Sequence, residues 1–446
     1  MKKMLSFKVS SKDIKDTLLV APYEIVKVIN KSNLTIGDIA DQITNGMDLR
    51  TYKDKGLLYI RGIDEKREQI DTLTPKRVDY RWEDVPNKIK LEPGDILVTR
   101  KGTPGITSIY TKELGNIIIG TEIIKIRLKK DSNISPEYLS IFLNSKLGIS
   151  QIQVNLTGTV ARGINHRALR GIKVIVPNYD QKEQIDSLIK EANKKHFESL
   201  NLIEMAKNKL MGILGSPVST NIKTYTVTSH MIYLNLLMPV FYYPGYIKPI
   251  EDLKTKFNML KLGNISNIQK GNEVGSINYR SYREKLDDDI PFVRTSDLPN
   301  YEVEDYPDYY IGNEIFDDLK QDLLPNDILF SNDGKIGISA MFTAVDRCII
   351  QSHIRRIRIL ETLPPEYVFI FLNTIYGKYQ IKRRILIQST IPTIGNGLKD
   401  IQIPEISSED QNEIVNLVKR AYKLKEEKKK LIRRAKYLIE HIIAEI

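Results

Sequence analysis

Two stretches of this chain carry apolar residues at alternating spacings of four and three. The first runs through Ile185, Ile189, Ala192, His196, Ser199, Ile203, Ala206 and Leu210. The second runs through Ile414, Val418, Ala421, Lys425, Lys428, Ile432, Ala435 and Ile439, each 229 positions later. This is the seam of helices that pack on one another, and both copies carry two polar slots at mid-helix. Asp180 and Ser408 are the candidate N-caps. The first helix is expected to end near Met211, where "GILGSP" breaks the pattern, and the second to run to the end of the sequence. Before each helix, β-branched runs such as "IIIGTEIIKIRL" and "CIIQSHIRRIRIL" alternate with Gly, Pro and Asp turns and read as strands. The expected fold class is therefore mixed α/β (α+β).

The repeat extends beyond the helices. "SPEYLSIFLNSKLG" at 135–148 returns as "PPEYVFIFLNTIYG" at 364–377, with Pro in the first turn of a short helix. "LYIRGID" answers "PFVRTSD", "EPGDILVTRKGTPGI" answers "LPNDILFSNDGKIGI", and "IIGTEIIKIR" answers "IIQSHIRRIR". The order is kept at offsets of 229 to 233, far beyond the roughly 20–50 residues of solenoid repeats. One domain is duplicated. The boundaries expected are 1–178 for the first globular domain with a lead-in over 1–29, 179–213 for the central helix, 214–406 for the second domain and 407–446 for the last helix. The apolar, aromatic run at 231–246 is expected to pack.

Composition narrows the function. The 446 residues carry a formal net charge of +11, which favours a polyanionic partner if the basic residues cluster. Cys348 is the single cysteine, so a disulfide framework and a Cys-based zinc site are excluded, and an inert core thiol is expected. The chain opens without a signal-peptide pattern and has no run of about 18 apolar residues, so a soluble protein of the cytoplasm with no membrane partner is expected. No Walker A loop, G-x-G-x-x-G or Asn-Pro-Pro-aromatic sequence occurs, and the five histidines lack metal-ligand spacing. The acid and lysine of "GDILVTRKG" faintly resemble a nuclease strand, but "NDILFSNDG" does not keep the lysine in place. No catalytic residue and no metal site are assigned.

Three stretches per half combine glycines with side chains that pair with phosphates and base edges. The first half offers Arg61, then Thr99, Arg100 and Lys101, then Thr159, Arg162, Asn165, His166 and Arg167. The second offers Arg294, then Asn332 and Lys335, then Gln388, Ser389, Thr390 and Asn396. The copies differ most in these loops, as two readers of different sequences would. Ordinary turn chemistry accounts for any one of these residues taken alone.

The "GDILVTRKGTPG" and "NDILFSNDGKIG" strands, the two "PEY" helices and the "IP"-then-"DQ" entry into each long helix resemble the specificity subunit of Type I restriction-modification systems. The resemblance spans about residue 30 to 446. It implies two target-recognition domains, each reading half of a bipartite double-stranded DNA site, and two helices forming an antiparallel coiled coil. It further implies two methyltransferase subunits as partners, restriction and translocase subunits through the complex, and S-adenosylmethionine, ATP and magnesium on those partners rather than on this chain. The sequence departs from a strict repeat in one place, with one more residue between "DQ" and the first seam isoleucine in the first helix. Two other classes stay open: a relative or fragment of a fused restriction-methylation enzyme, and a non-specific nucleic-acid scaffold.

Overall fold

The computed structural model describes residues 32–158, 162–217, 222–232, 237–282, 285–286, 288–387 and 390–445. The chain forms two compact units, Met1–Lys194 with Lys428–Ile446, and Lys195–Glu427.

In the first unit, β1 (Ala40–Asn45), β2 (Ile96–Thr99), β3 (Thr107–Ile109) and β4 (Ile123–Leu128) form an antiparallel sheet in the order β1-β4-β2-β3. A second sheet pairs Leu57–Ile60 parallel to Ile117–Ile119 and antiparallel to Lys76–Val78. Helix α1 (Pro136–Leu143) follows, and α2 (Tyr179–Leu214) leaves the domain. The second unit repeats this plan. β5 (Ser266–Lys270), β6 (Ile328–Ser331), β7 (Ser339–Met341) and β8 (Ile354–Ile359) take the order β5-β8-β6-β7. Ile290–Val293 runs parallel to Ile349–Ile350 and antiparallel to Tyr309–Ile311. Helix α3 (Pro365–Asn373) follows, and α4 (Ser408–Ala444) leaves the domain.

The repeated motifs turn out to be hydrogen-bonding devices. The tyrosine of each "PEY" helix is fully buried and donates its hydroxyl to the segment that enters the long helix, Tyr138 to Ile175 O (2.9 Å) and Tyr367 to Pro404 O (2.6 Å). Gln151 clasps Lys173 with both ends of its amide, donating to O and accepting from N, each at 2.9 Å. Gln380 does the same to Gln402 at 2.8 Å on both sides. The strand motif's acid is equally committed. Asp95 takes two bonds from Arg127 (2.7 Å each), and Asp327 two from Arg358 (2.8 Å each). The nuclease-like "GDILVTRKG" acid is thus a structural counter-ion.

All sixteen seam positions of α2 and α4 are buried, the polar slots His196, Ser199, Lys425 and Lys428 included. In the second unit the helices run antiparallel, since Lys195 pairs with Glu427 (2.7 Å) and Lys209 with Glu413 (2.5 Å). Ile203, Leu210, Ile414 and Val418 share one core with Tyr367 of the domain itself. Lys425 donates to Asn300 O (2.8 Å) and lies 3.7 Å from Glu302, so its charge is compensated at the domain surface it packs on. In the first unit, Lys428 reaches Gln69 Oε1 (3.5 Å), Lys436 lies 3.9 Å from buried Glu68, and Lys146 N donates to Glu440 (2.8 Å).

The caps correct the sequence reading by one and two residues. Asn178, not Asp180, caps α2: its Oδ1 accepts from Gln181 N (2.9 Å), while Gln181 Oε1 accepts from Asn178 N (3.0 Å). Ser407, not Ser408, caps α4, its Oγ accepting from Asp410 N (3.1 Å). An N-cap side chain serves the N–H three residues on, which only these two positions reach. They are 229 apart, like the seam, so the extra residue after "DQ" is not an insertion: the two "DQ" pairs are simply not equivalent positions. α2 ends at Leu214, three residues past Met211, before Gly215 at φ +78°. Cys348 is a buried thiol in the core, as expected. Of the aromatic lead-in, Pro244–Lys254 forms a helix, and Arg383 stacks over Phe241 at 4.4 Å and donates to its carbonyl at 2.6 Å. Among the described residues no helix is long and apolar enough to cross a membrane.

Candidate nucleic-acid interface

The second and third polar stretches of each half converge on one end of the four-stranded sheet. In the first unit the loop after β2 is closed by Thr99, whose hydroxyl donates to Thr103 O (2.5 Å) and accepts from Ile106 N (2.8 Å). Ser331 closes the loop after β6 identically, through Lys335 O (2.6 Å) and Ile338 N (2.8 Å). Gly105 (φ +94°) and Gly337 (φ +91°) supply the left-handed corner that lets each loop return. The third stretch then docks on the second through an equivalent main-chain bond in each unit. Ile164 N donates to Arg100 O and Ile394 N to Asn332 O, both at 3.1 Å. A turn completes the cluster: Ile123 N donates to Gly120 O (3.0 Å) in one unit, and Ile354 N to Gln351 O (2.9 Å) in the other. The third residue of that turn accepts from the loop, Glu122 O from Arg100 N (2.7 Å) and His353 O from Asn332 N (2.8 Å).

The side chains on this shared frame differ. In the first unit Lys101, Arg162 and Arg167 are exposed, Arg100 is half-buried, and none has a side-chain partner among the described residues. Arg170, missed by the sequence reading, joins them on the same short helix. Asn165 caps that helix, accepting from Ala168 N at 2.9 Å. His166 Nε2 lies 2.8 Å from Asn45 Oδ1. Burial, then the positive charges of Arg100 and Arg170, hold its pKa below the ordinary histidine value, so the imidazole is neutral near pH 7. In the second unit Lys335, Thr390 and Asn396 are exposed, and Asp333 and His353 form a pair at 3.0 Å.

Several expected contacts lie elsewhere. Thr99 and Asn332 are fully buried and form the loop floor rather than its surface. Arg61 gives Nε and Nη2 to Asp64 (3.0 and 3.2 Å), and its backbone N–H goes to the same carboxylate. Arg294 gives its backbone N–H and Nε (3.3 Å) to Asp297 and Nη2 to Asp308 (3.0 Å), and lies over the Tyr309 ring at 4.4 Å. Both arginines brace the turns after their strands. Thr159, Gln388 and Ser389 lie outside the described residues. Among the described residues, no group of three or more His, Cys, Asp or Glu side chains could hold a metal ion.

The arrangement presents cations and fixed polar groups on glycine-cornered loops, the chemistry that engages a phosphate backbone and base edges. Comparison with known proteins bears on this. Residues 32–205 match the family described as the Type I restriction modification DNA specificity domain. Among solved structures, the chain is similar to the S subunit of a Type I restriction-modification system from M. genitalium, with 14% identity, TM-score 0.35, and 93% of this chain and 96% of that one covered. The HsdS subunit from Thermoanaerobacter tengcongensis is similar at 15% identity and TM-score 0.29, covering 92% and 95%. A third, from work on assembly and conformational transition of the Type I system, has 16% identity and TM-score 0.29, covering 92% and 96%. No curated protein matches. Over residues 32–205, the chain is thus similar to the DNA specificity domain of Type I restriction-modification systems.

Proposed function

We propose that the chain reads a two-part double-stranded DNA target, one part with each unit's loop cluster, and brings methyltransferase and restriction subunits to it. The observation that carries this is the pair of loop clusters, built with the same main-chain bonds and carrying different side chains. A domain duplicated for a catalytic purpose would keep its reactive groups; one duplicated for reading keeps its frame and changes its contacts. The chain itself then transfers no methyl group and cuts no DNA, and S-adenosylmethionine, ATP and magnesium act on its partner subunits.

The long helices suit partner binding and spacing. At 1.5 Å per residue, the 36 residues of α2 and 37 of α4 each extend about 54–56 Å.

The test is methylome sequencing of cells carrying the chain with two methyltransferase subunits. A bipartite motif is expected. Replacing residues up to 178 with those of a relative should change one part of the motif only. If both parts change, or if no motif emerges, the modular reading fails; absence of any sequence preference would favour a non-specific scaffold. Methyl transfer by the chain alone would favour the fused-enzyme relative.

A further inference from the structure

Glu122 and His353 occupy one equivalent position, the third residue of the turn that ends the parallel strand pair. Each gives its backbone carbonyl to the reading loop, so its side chain is carried at the loop cluster's edge. Neither was singled out as polar-loop residue, because both sit inside strand-like runs.

The two side chains share one property: each keeps a hydrogen-bond acceptor beyond the one contact that holds it, Glu122 at Oε1 and His353 at Nε2. Glu122 is exposed, and among the described residues its carboxylate takes one hydrogen bond, from Gly62 N to Oε2 at 3.3 Å. Its carboxylate adds a negative charge near Arg61, at the edge of a loop cluster whose Arg100, Lys101, Arg162 and Arg167 have no side-chain partner among the described residues, and a carboxylate there repels phosphate and weakens general DNA affinity. Such a residue is retained where it discriminates between bases. His353 reaches the same outcome by another route. Its Nδ1 faces Asp333 Oδ2 at 3.0 Å. Burial raises the Asp333 pKa, but hydrogen bonds from Thr393, His353 and Asn332, with the charge of Arg355, bring it below its ordinary value. Asp333 is therefore ionised and can only accept, so Nδ1 carries a proton toward it, and of the two single-proton tautomers this selects the one whose Nε2 is an acceptor.

The support beneath His353 is arranged at a cost. Asn332 donates through Nδ2 to Asp333 Oδ1 (2.9 Å) and Thr393 Oγ1 (3.3 Å), while its own buried Oδ1 has no partner among the described residues. An unsatisfied buried carbonyl is destabilising and marks a place where packing has yielded to something else.

We infer that Glu122 and His353 are the specificity-determining residues of the two units, each accepting a hydrogen bond from the exocyclic amino group of a cytosine or adenine in the major groove. This rests on the DNA-reading proposal above. In the major groove only those two bases carry an amino donor, so guanine and thymine are rejected at the contacted position. Asp333 acts as a positioning residue, fixing the tautomer.

The experiment is selection from a randomised duplex pool by the full chain, co-expressed with its methyltransferase partner, followed by sequencing. Wild type should yield a motif with cytosine or adenine at one defined position in each part. Glu122→Gln replaces a pure acceptor by a donor–acceptor pair that matches adenine N7 and N6, and should shift one position toward adenine while the other part is unchanged. His353→Ala should lower discrimination at one position of the other part by roughly 5- to 150-fold, the span of one base-edge contact. Asp333→Ala should weaken the same position as His353→Ala and no other. Variants that keep the wild-type motif at every position overturn this inference while leaving the DNA-reading proposal standing. A wild type that selects no motif removes the proposal itself.

Discussion

Replacing Asp95 by Asn distinguishes a structural acid from a catalytic one. The Asp95 side chain is 1% exposed and that of Arg127 17% exposed. The carboxylate takes Arg127 Nε and Nη2 at 2.7 Å and the backbone N–H of Glu92 at 2.7 Å. Asparagine keeps one oxygen and turns an amide NH2 toward the guanidinium. Breaking a buried pair costs about 3–5 kcal/mol. Arg127 retains the exposed Glu92 at 2.5 Å and the carbonyl of Lys90, which brings the expected loss to about 2–4 kcal/mol. Trp82 is the sole tryptophan and packs in the first unit against Tyr59, Val78, Val85 and Ile89. Its fluorescence therefore reports the unfolding of that unit alone. With a urea slope of about 2 kcal/mol per molar, the midpoint should fall by about 1–2 M. Asp327→Asn, which breaks the equivalent pair in the second unit, should leave the Trp82 midpoint in place and lower the transition seen by far-UV circular dichroism. An unchanged Trp82 midpoint in Asp95→Asn, together with altered activity on DNA, would refute the structural assignment and revive the nuclease-like one.

Glu65 is fully buried, and burial, only partly offset by Ser108 beside it, pushes its pKa well above the ordinary 4.5. The folded state then holds a proton the unfolded chain releases, so stability falls as pH rises from the ordinary value to the folded one. Glu65→Gln should shift the Trp82 midpoint upward at neutral pH, with the gain vanishing below about pH 4.5; a gain independent of pH contradicts this. Gln380→Ala leaves both Gln402 N and O without their partner and should destabilise the second unit by about 2–4 kcal/mol in denaturation followed by circular dichroism, with the Trp82 transition unmoved. Arg162→Ala should weaken binding to all duplexes and reduce the slope of log K against log salt by about 1, measured by fluorescence anisotropy across a salt series, with stability unaffected.

The long helices were legible because burial writes a period into sequence. A seam position that faces the partner helix cannot be freely polar, so the 4-3-4-3 spacing survived even where His196, Ser199, Lys425 and Lys428 interrupt it, and every one of these is buried. The caps were missed by one and two residues because Asn178, Asp180, Ser407 and Ser408 are all capping types, and only the helix start decides which side chain reaches the free N–H. The loop clusters were legible as a set, from glycines beside polar side chains, and not residue by residue. Thr99 and Asn332 resemble surface readers in sequence, yet a loop that returns on itself needs internal donors and acceptors, and these two supply them. Arg61 and Arg294 carry the charge expected of phosphate contacts, but an aspartate three residues on captures each. That i, i+3 pairing was present in "RGID" and "RTSD" and is the signal that could have demoted them.

What the two units share and what they do not share follow one physical rule. The bonds that fix the loops to the frame are made by main chain or by buried side chains: Ile164 to Arg100 and Ile394 to Asn332, Thr99 and Ser331 at the loop base, Glu122 and His353 through their carbonyls. None of the backbone bonds depends on which side chain the residue carries. Lys101 stands where Asp333 stands, and Glu122 where His353 stands, a change of charge at both positions with the frame unmoved. A loop held by its side chains could not tolerate that, because each substitution would break a contact that costs about 1–3 kcal/mol to leave unmade. A loop held by its backbone can exchange its outward groups at little cost to folding, which is the condition under which a duplicated domain can come to read a second sequence.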